Sequence, residues 1–109
     1  LSTVDDPERA YRPFTASACG FVPAEGGAML VVEAESSARR RGAPVRATLA
    51  GYAATFTGAS RWEHSREGLA QAILGALDEA GCAPEEIDVV FADALGVPEA
   101  DRAEALAIA

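Results

Sequence analysis

Apolar positions follow two rhythms along this chain. Between residues 66 and 80, Leu69, Ile73 and Leu77 recur at i, i+4 and i+8, with Ala70 and Leu74 beside them. That spacing predicts a helix with one apolar stripe. Gly81 stops it, and Pro84-Glu85-Glu86 turns the chain onward. The second rhythm is the near-continuous apolar run, found at Met29–Glu33, from Val45 to about Thr57, and at Ile87–Phe91. Runs of this kind suit strands covered on both faces. In the middle run Val45, Ala47, Leu49 and Gly51 fall on one face, and Gly26-Gly27 permits a bulge just before the first.

Between the runs lie further helical signals. Residues 34–42 read as a short helix ending at Gly42, and a last helix enters at Pro98. Residues 1–19 are turn-rich, with Asp6 as cap of a short turn at Pro7 and Pro13 as a breaker. Strand, helix, strand, helix, strand, helix is an α/β pattern, so a parallel or mixed sheet with right-handed helical crossovers is expected. Three or four strands this apolar need more cover than the few helices supply. The chain also begins at Leu1 in an acidic turn and ends at Ala109 inside an apolar-periodic helix. Both features lead us to expect a piece of a longer protein, with apolar runs that lack part of their cover.

Charge and composition narrow the partners. Half the residues are hydrophobic and the formal net charge is −8. That balance argues against unspecific nucleic-acid binding and against an anionic membrane surface, while permitting a basic partner. Cys19, Cys82 and a single histidine show no metal-ligand spacing, so no metal site is expected. One disulfide is formally allowed; two reduced, partly buried thiols in a cytoplasmic protein are favoured. No signal peptide or transmembrane run is visible.

Candidate chemistry centres on Asp93, an acid where the Ile87–Phe91 run opens into a small-residue loop. Loops at the carboxyl ends of buried strands are where α/β proteins place active sites. Glu25 reads as a loop carboxylate bonding nearby N–H groups, and Arg39-Arg40-Arg41 as a solvated face; carrier-protein docking is the sharper reading of the arginines. His64 reads as a solvent-exposed or capping residue, and Cys82 as a small hydrophobe. A hydrolase built from Asp93, His64 and Cys82 would need His64 within reach of both others.

Arg12-Pro13-Phe14, then Gly20-Phe21-Val22-Pro23-Ala24-Glu25-Gly26-Gly27-Ala28, followed in order by Val31-Val32-Glu33, Ala50-Gly51-Tyr52-Ala53 and Ile87–Glu104, resemble the β-ketoacyl synthase family. The resemblance implies a thiolase-like fold, of which this chain would hold the end of an N-terminal half (about 1–65) and the start of a C-terminal half (about 66–109). Within the family it is nearest to the chain-length factor, the second ketosynthase subunit of bacterial aromatic polyketide synthases. That subunit pairs with a catalytic ketosynthase, works on phosphopantetheine thioesters of an acyl carrier protein, and helps set chain length in antibiotic biosynthesis. Active ketosynthases carry a catalytic histidine in a motif of the form N-A-H-G-T/S-G-T, followed by an Asp and a Glu. Laid on this chain without gaps, the histidine falls on Asp93, while the later acids fall on Asp101 and Glu104 and match. The family's R-D-G before F-V is also replaced, by Ala18-Cys19-Gly20. The resemblance therefore implies no catalytic residue in this chain, no bound cofactor and no metal. The alternative it leaves open is a catalytically active condensing enzyme.

Overall fold

The computed structural model describes residues 1–58 and 65–109. It contains helix α1 (Glu35–Arg40), helix α2 (Arg66–Ala80), a 3-10 turn (Pro84–Glu86) and helix α3 (Pro98–Ile108). The helical expectations hold to within a residue or two at each end.

Local chemistry sets the helix ends. Ser65 caps α2 by accepting the Gly68 N–H at 3.1 Å. At the other end Gly81 sits in the left-handed region at φ 64°. Its N–H donates to the Asp78 carbonyl at 3.1 Å while the Cys82 N–H reaches Leu77 at 3.0 Å, the paired bonds of a Schellman motif. The same pair closes α1, from Gly42 to Arg39 and from Ala43 to Ala38. Near the start of the chain, Asp6 accepts the Glu8 N–H on its carboxylate and the Arg9 N–H on its carbonyl, as its position before Pro7 predicts. Ser65→Ala should lower stability by about 1 kcal/mol, read as a drop of a few degrees in Tm; an unchanged melt would mean that another group takes over the cap.

The mixed sheet expected from the sequence is absent from the described residues, which contain no β-ladder. The physical reason lies in what a strand needs. An apolar run becomes a strand only when neighbouring strands take up its N–H and C=O groups. Met29–Val32 has no such neighbour among the described residues, and its side chains stand open on both faces, with Met29 96% and Leu30 88% exposed. Val89, Val90 and Phe91 are exposed as well.

The middle run behaves differently, because α2 takes the place of a sheet neighbour. Residues 51–57 lie along α2 in the opposite direction: Gly51 is against Ala76 and Ala80, Ala53 against Gly75, and Thr57 against Gly68. Thr55 Oγ1 donates to the Gly68 carbonyl at 2.8 Å, and the Tyr52 N–H donates to Glu79 Oε2 at 2.6 Å. Four residues of the run cover about seven of the helix, about 13 Å against about 10 Å, so the run is extended. The approach is close enough that a Cβ on Gly51 would overlap the Ala76 carbonyl oxygen and one on Gly68 would overlap the Thr57 methyl.

Packing is accordingly thin. The radius of gyration is 17.5 Å, against about 13 Å for a compact chain of this length. The accessible surface is 8918 Å², where about 5,700 Å² is usual at this mass. The buried apolar residues are Ala10, Ala38 and Ala100, and the one buried charged residue among the described residues is Asp101. Helices α2 and α3 lie against each other, and with the 3-10 turn and the Ala50-Gly51 segment they border an apolar cavity of about 420 Å³. Hydrogen bonds from the N-terminal segment and from α3 converge on the loop that enters α3.

Candidate functional site

Pro98 opens α3 at its first position, where the missing N–H costs nothing. Val97 precedes it and has no side chain able to cap. The work of satisfying the loop's N–H groups falls instead on two acids further along the helix. Asp101 and Glu104 are three residues apart, hence on one helix face, and that face looks back over residues 93–96.

Asp101 is 3% exposed. Its Oδ1 accepts the Gly96 N–H at 2.9 Å and its Oδ2 accepts the Phe14 N–H at 2.8 Å. Glu104 accepts the Asp93 N–H on Oε1 at 2.6 Å and the Ala94 N–H on Oε2 at 2.9 Å. Tyr11 donates its phenolic O–H to the Ala94 carbonyl at 2.5 Å. The Gly20 N–H donates to the Gly96 carbonyl at 2.7 Å. The turn-rich N-terminal segment is thereby tied to the loop through Tyr11, Phe14 and Gly20.

Backbone strain is concentrated here. Among the described residues only Phe14 (φ 58°) and Ala94 (φ 51°) are left-handed without being glycine. Such a conformation costs an L-residue about 1–2 kcal/mol. Each has its N–H held by one of the two acids, Phe14 by Asp101 and Ala94 by Glu104. Gly96, at φ 76°, has no Cβ, and one placed there would stand 2.6 Å from the Gly20 carbonyl oxygen.

Asp93 itself is exposed. Its N–H belongs to Glu104, and its carboxylate has no hydrogen-bond or ion-pair partner among the described residues. A carboxylate there can accept protons or hydrogen bonds; it has no N–H to offer a developing oxyanion. Asp93, Asp101 and Glu104 are thus brought together, with Asp101 and Glu104 turned inward on the backbone and Asp93 turned out.

The other candidates lie apart from this cluster or differ from expectation. Glu25 is exposed and makes no hydrogen bond among the described residues, so the expected local bonding to N–H groups is corrected. No turn there presents N–H groups to it. His64 lies outside the described residues, as does any triad built on it. Both thiols are free. Cys19 Sγ is 3.3 Å from Ser2 Oγ. The half-buried Cys82 thiol is pushed up in pKa by desolvation and by the nearby Glu86 carboxylate, the opposite of an activated nucleophile. Arg39 pairs with Glu35 at 2.5 Å, and Arg41 pairs with Glu33, holding the Glu33 carboxyl below the usual range and raising its own pKa. These side chains form a solvated face. Among the described residues no group of three His, Cys, Asp or Glu side chains is arranged to hold a metal, and no helix is long and apolar enough to cross a membrane.

Sequence reasoning missed Tyr11 and the Phe14 N–H. Phe14 had entered only as part of the Arg12-Pro13-Phe14 element of the resemblance, and Tyr11 only as a neighbouring aromatic in a segment marked for turns.

The chain belongs to the β-ketoacyl synthase family: residues 46–109, more than half of it, match the family model described as "Beta-ketoacyl synthase, C-terminal domain". Membership implies a thiolase-like fold. Over 109 residues the chain is 77% identical to the Streptomyces coelicolor protein named "Putative polyketide beta-ketoacyl synthase 2", covering 100% of this chain and 26% of that protein. It is 54% identical over 110 residues to the "Tetracenomycin polyketide synthase ketoacyl synthase beta subunit" of Streptomyces glaucescens, covering 100% of this chain and 27% of that protein. Against the Streptomyces halstedii protein named as a polyketide beta-ketoacyl synthase 1, identity falls to 50% over 107 residues, covering 95% of this chain and 25% of that one. The chain thus spans about a quarter of the length of the curated relatives it matches.

Proposed function

We propose that this chain is part of a chain-length factor, the ketosynthase β subunit of a bacterial aromatic polyketide synthase. The observation that carries the reading is Asp93 at the family's histidine position, on a loop whose framing acids Asp101 and Glu104 are kept and engaged. The higher identity to a synthase 2 than to a synthase 1 supports it. In this reading the partner is a catalytic ketosynthase subunit, and the substrates of the pair are phosphopantetheine thioesters on an acyl carrier protein. The setting is the cytoplasm and the pathway makes an antibiotic. The runs at residues 29–33, 45–57 and 87–91 become strands of a mixed sheet once neighbouring strands are present. The division between the two halves falls near residue 65, with the family match reaching upstream of it to residue 46.

The chemistry of the loop gives the reason for inactivity. In an active subunit the histidine N–H stabilises negative charge that develops during decarboxylation and condensation. Losing one such donor costs about 3–4 kcal/mol of barrier, and a carboxylate in its place adds repulsion. Three-component reconstitution tests this: the protein carrying this chain, a catalytic ketosynthase and an acyl carrier protein, with malonyl thioester. Polyketide should form only when both subunits are present, and the product length should follow the source of this subunit. Asp93→His in this subunit alone should give no condensation. Turnover by that variant without the ketosynthase would establish the condensing-enzyme alternative instead.

A further inference from the structure

Five consecutive peptide units run through the loop, and each has one polar group tied down from outside. The 92–93 and 93–94 units are held at the N–H groups of Asp93 and Ala94 by Glu104. The 95–96 unit is held at the Gly96 N–H by Asp101, and the 96–97 unit at the Gly96 carbonyl by the Gly20 N–H. The 94–95 unit between them is held at the Ala94 carbonyl by Tyr11, 83 residues away in sequence. It is also the unit that follows the left-handed residue, Ala94 at φ 51°. Glu104 holds the unit on the φ side of Ala94 and Tyr11 holds the unit on its ψ side; with the flanking units fixed by carboxylates, the 94–95 peptide is the one whose rotation only the Tyr11 bond opposes.

We propose that Tyr11 is a positioning residue for the Asp93 loop: its O–H on the Ala94 carbonyl, opposite Glu104 on the Ala94 N–H, clamps the left-handed residue and fixes the direction in which Asp93 projects. The ring contributes little to this by itself, since Tyr11 is about half exposed, although its edge lies beside Gly96. The hydroxyl is the operative group. The proposal needs only the loop geometry and holds whether or not the chain sets polyketide length.

Amide hydrogen exchange on the full-length protein tests it, comparing native protein with Tyr11→Phe and Tyr11→Leu. Loss of one hydrogen bond should speed exchange at Asp93, Ala94 and Gly96 about fivefold in both variants, with the amides of α2 unchanged. Native rates in Tyr11→Phe would overturn the proposal. So would loosening in Tyr11→Leu alone, which would assign the effect to the ring. An equal acceleration in α2 would also overturn it, by showing a global rather than a local change. Should Tyr11→Leu fail to fold, Tyr11→Phe decides by itself. Because amide exchange reads the loop and not its product, failure of the functional reading leaves the result intact.

Discussion

Asp101→Ala should destabilise the protein by about 2–4 kcal/mol, more than any other single truncation in the described residues. The side chain is buried and both of its oxygens are occupied, one by the Gly96 N–H and one by the Phe14 N–H. Alanine removes both acceptors at once and leaves two donors unmatched, of which the Gly96 N–H is buried. Asp101→Asn should cost nearly as much, because its amide oxygen serves one donor while its NH₂ confronts the other. Denaturant melts of the three proteins give the measurement. A loss below about 0.5 kcal/mol for Asp101→Ala would place the loop's stability elsewhere.

Gly96→Ala should cost about 3 kcal/mol, from two sources that a control separates. The first is handedness: at φ 76° an L-residue is strained. The second is steric, since the new Cβ meets the Gly20 carbonyl oxygen at 2.6 Å and its carbon at 3.2 Å. Backing away is opposed by the Gly20 N–H to Gly96 carbonyl bond of 2.7 Å, which holds the same two residues together. Gly81 at the end of α2 has a similar φ of 64°, and a Cβ there meets nothing within 4 Å. Gly81→Ala should therefore cost only about 1 kcal/mol, the handedness part alone. Equal shifts in Tm for the two variants would mean that the 20–96 contact yields without cost.

Helices were legible in the sequence because their determinants are local. The Leu69, Ile73, Leu77 spacing and the glycines after α1 and α2 act over a few residues, and the structure places each where the pattern put it. The sheet was not legible in the same way, since strand pairing is a property of two segments. Met29–Val32 has strand composition and no partner among the described residues, so its composition is met without its structure. At the loop, alignment of the family motif found Asp93, Asp101 and Glu104. It said nothing about the role of the acids, which turned out to hold backbone N–H groups. Tyr11 and Phe14 stayed hidden because their part depends on contacts across more than eighty residues of sequence, a distance over which local periodicity carries no information.

One consequence follows from how the Asp93 loop is framed. Every tether on it is to main-chain atoms, and none is to the side chain of residue 93. The loop is a socket whose shape is independent of what is plugged into it. Exchanging the side chain at that position changes the chemistry presented without reshaping the mount, because the bonds that set the loop are indifferent to what residue 93 carries.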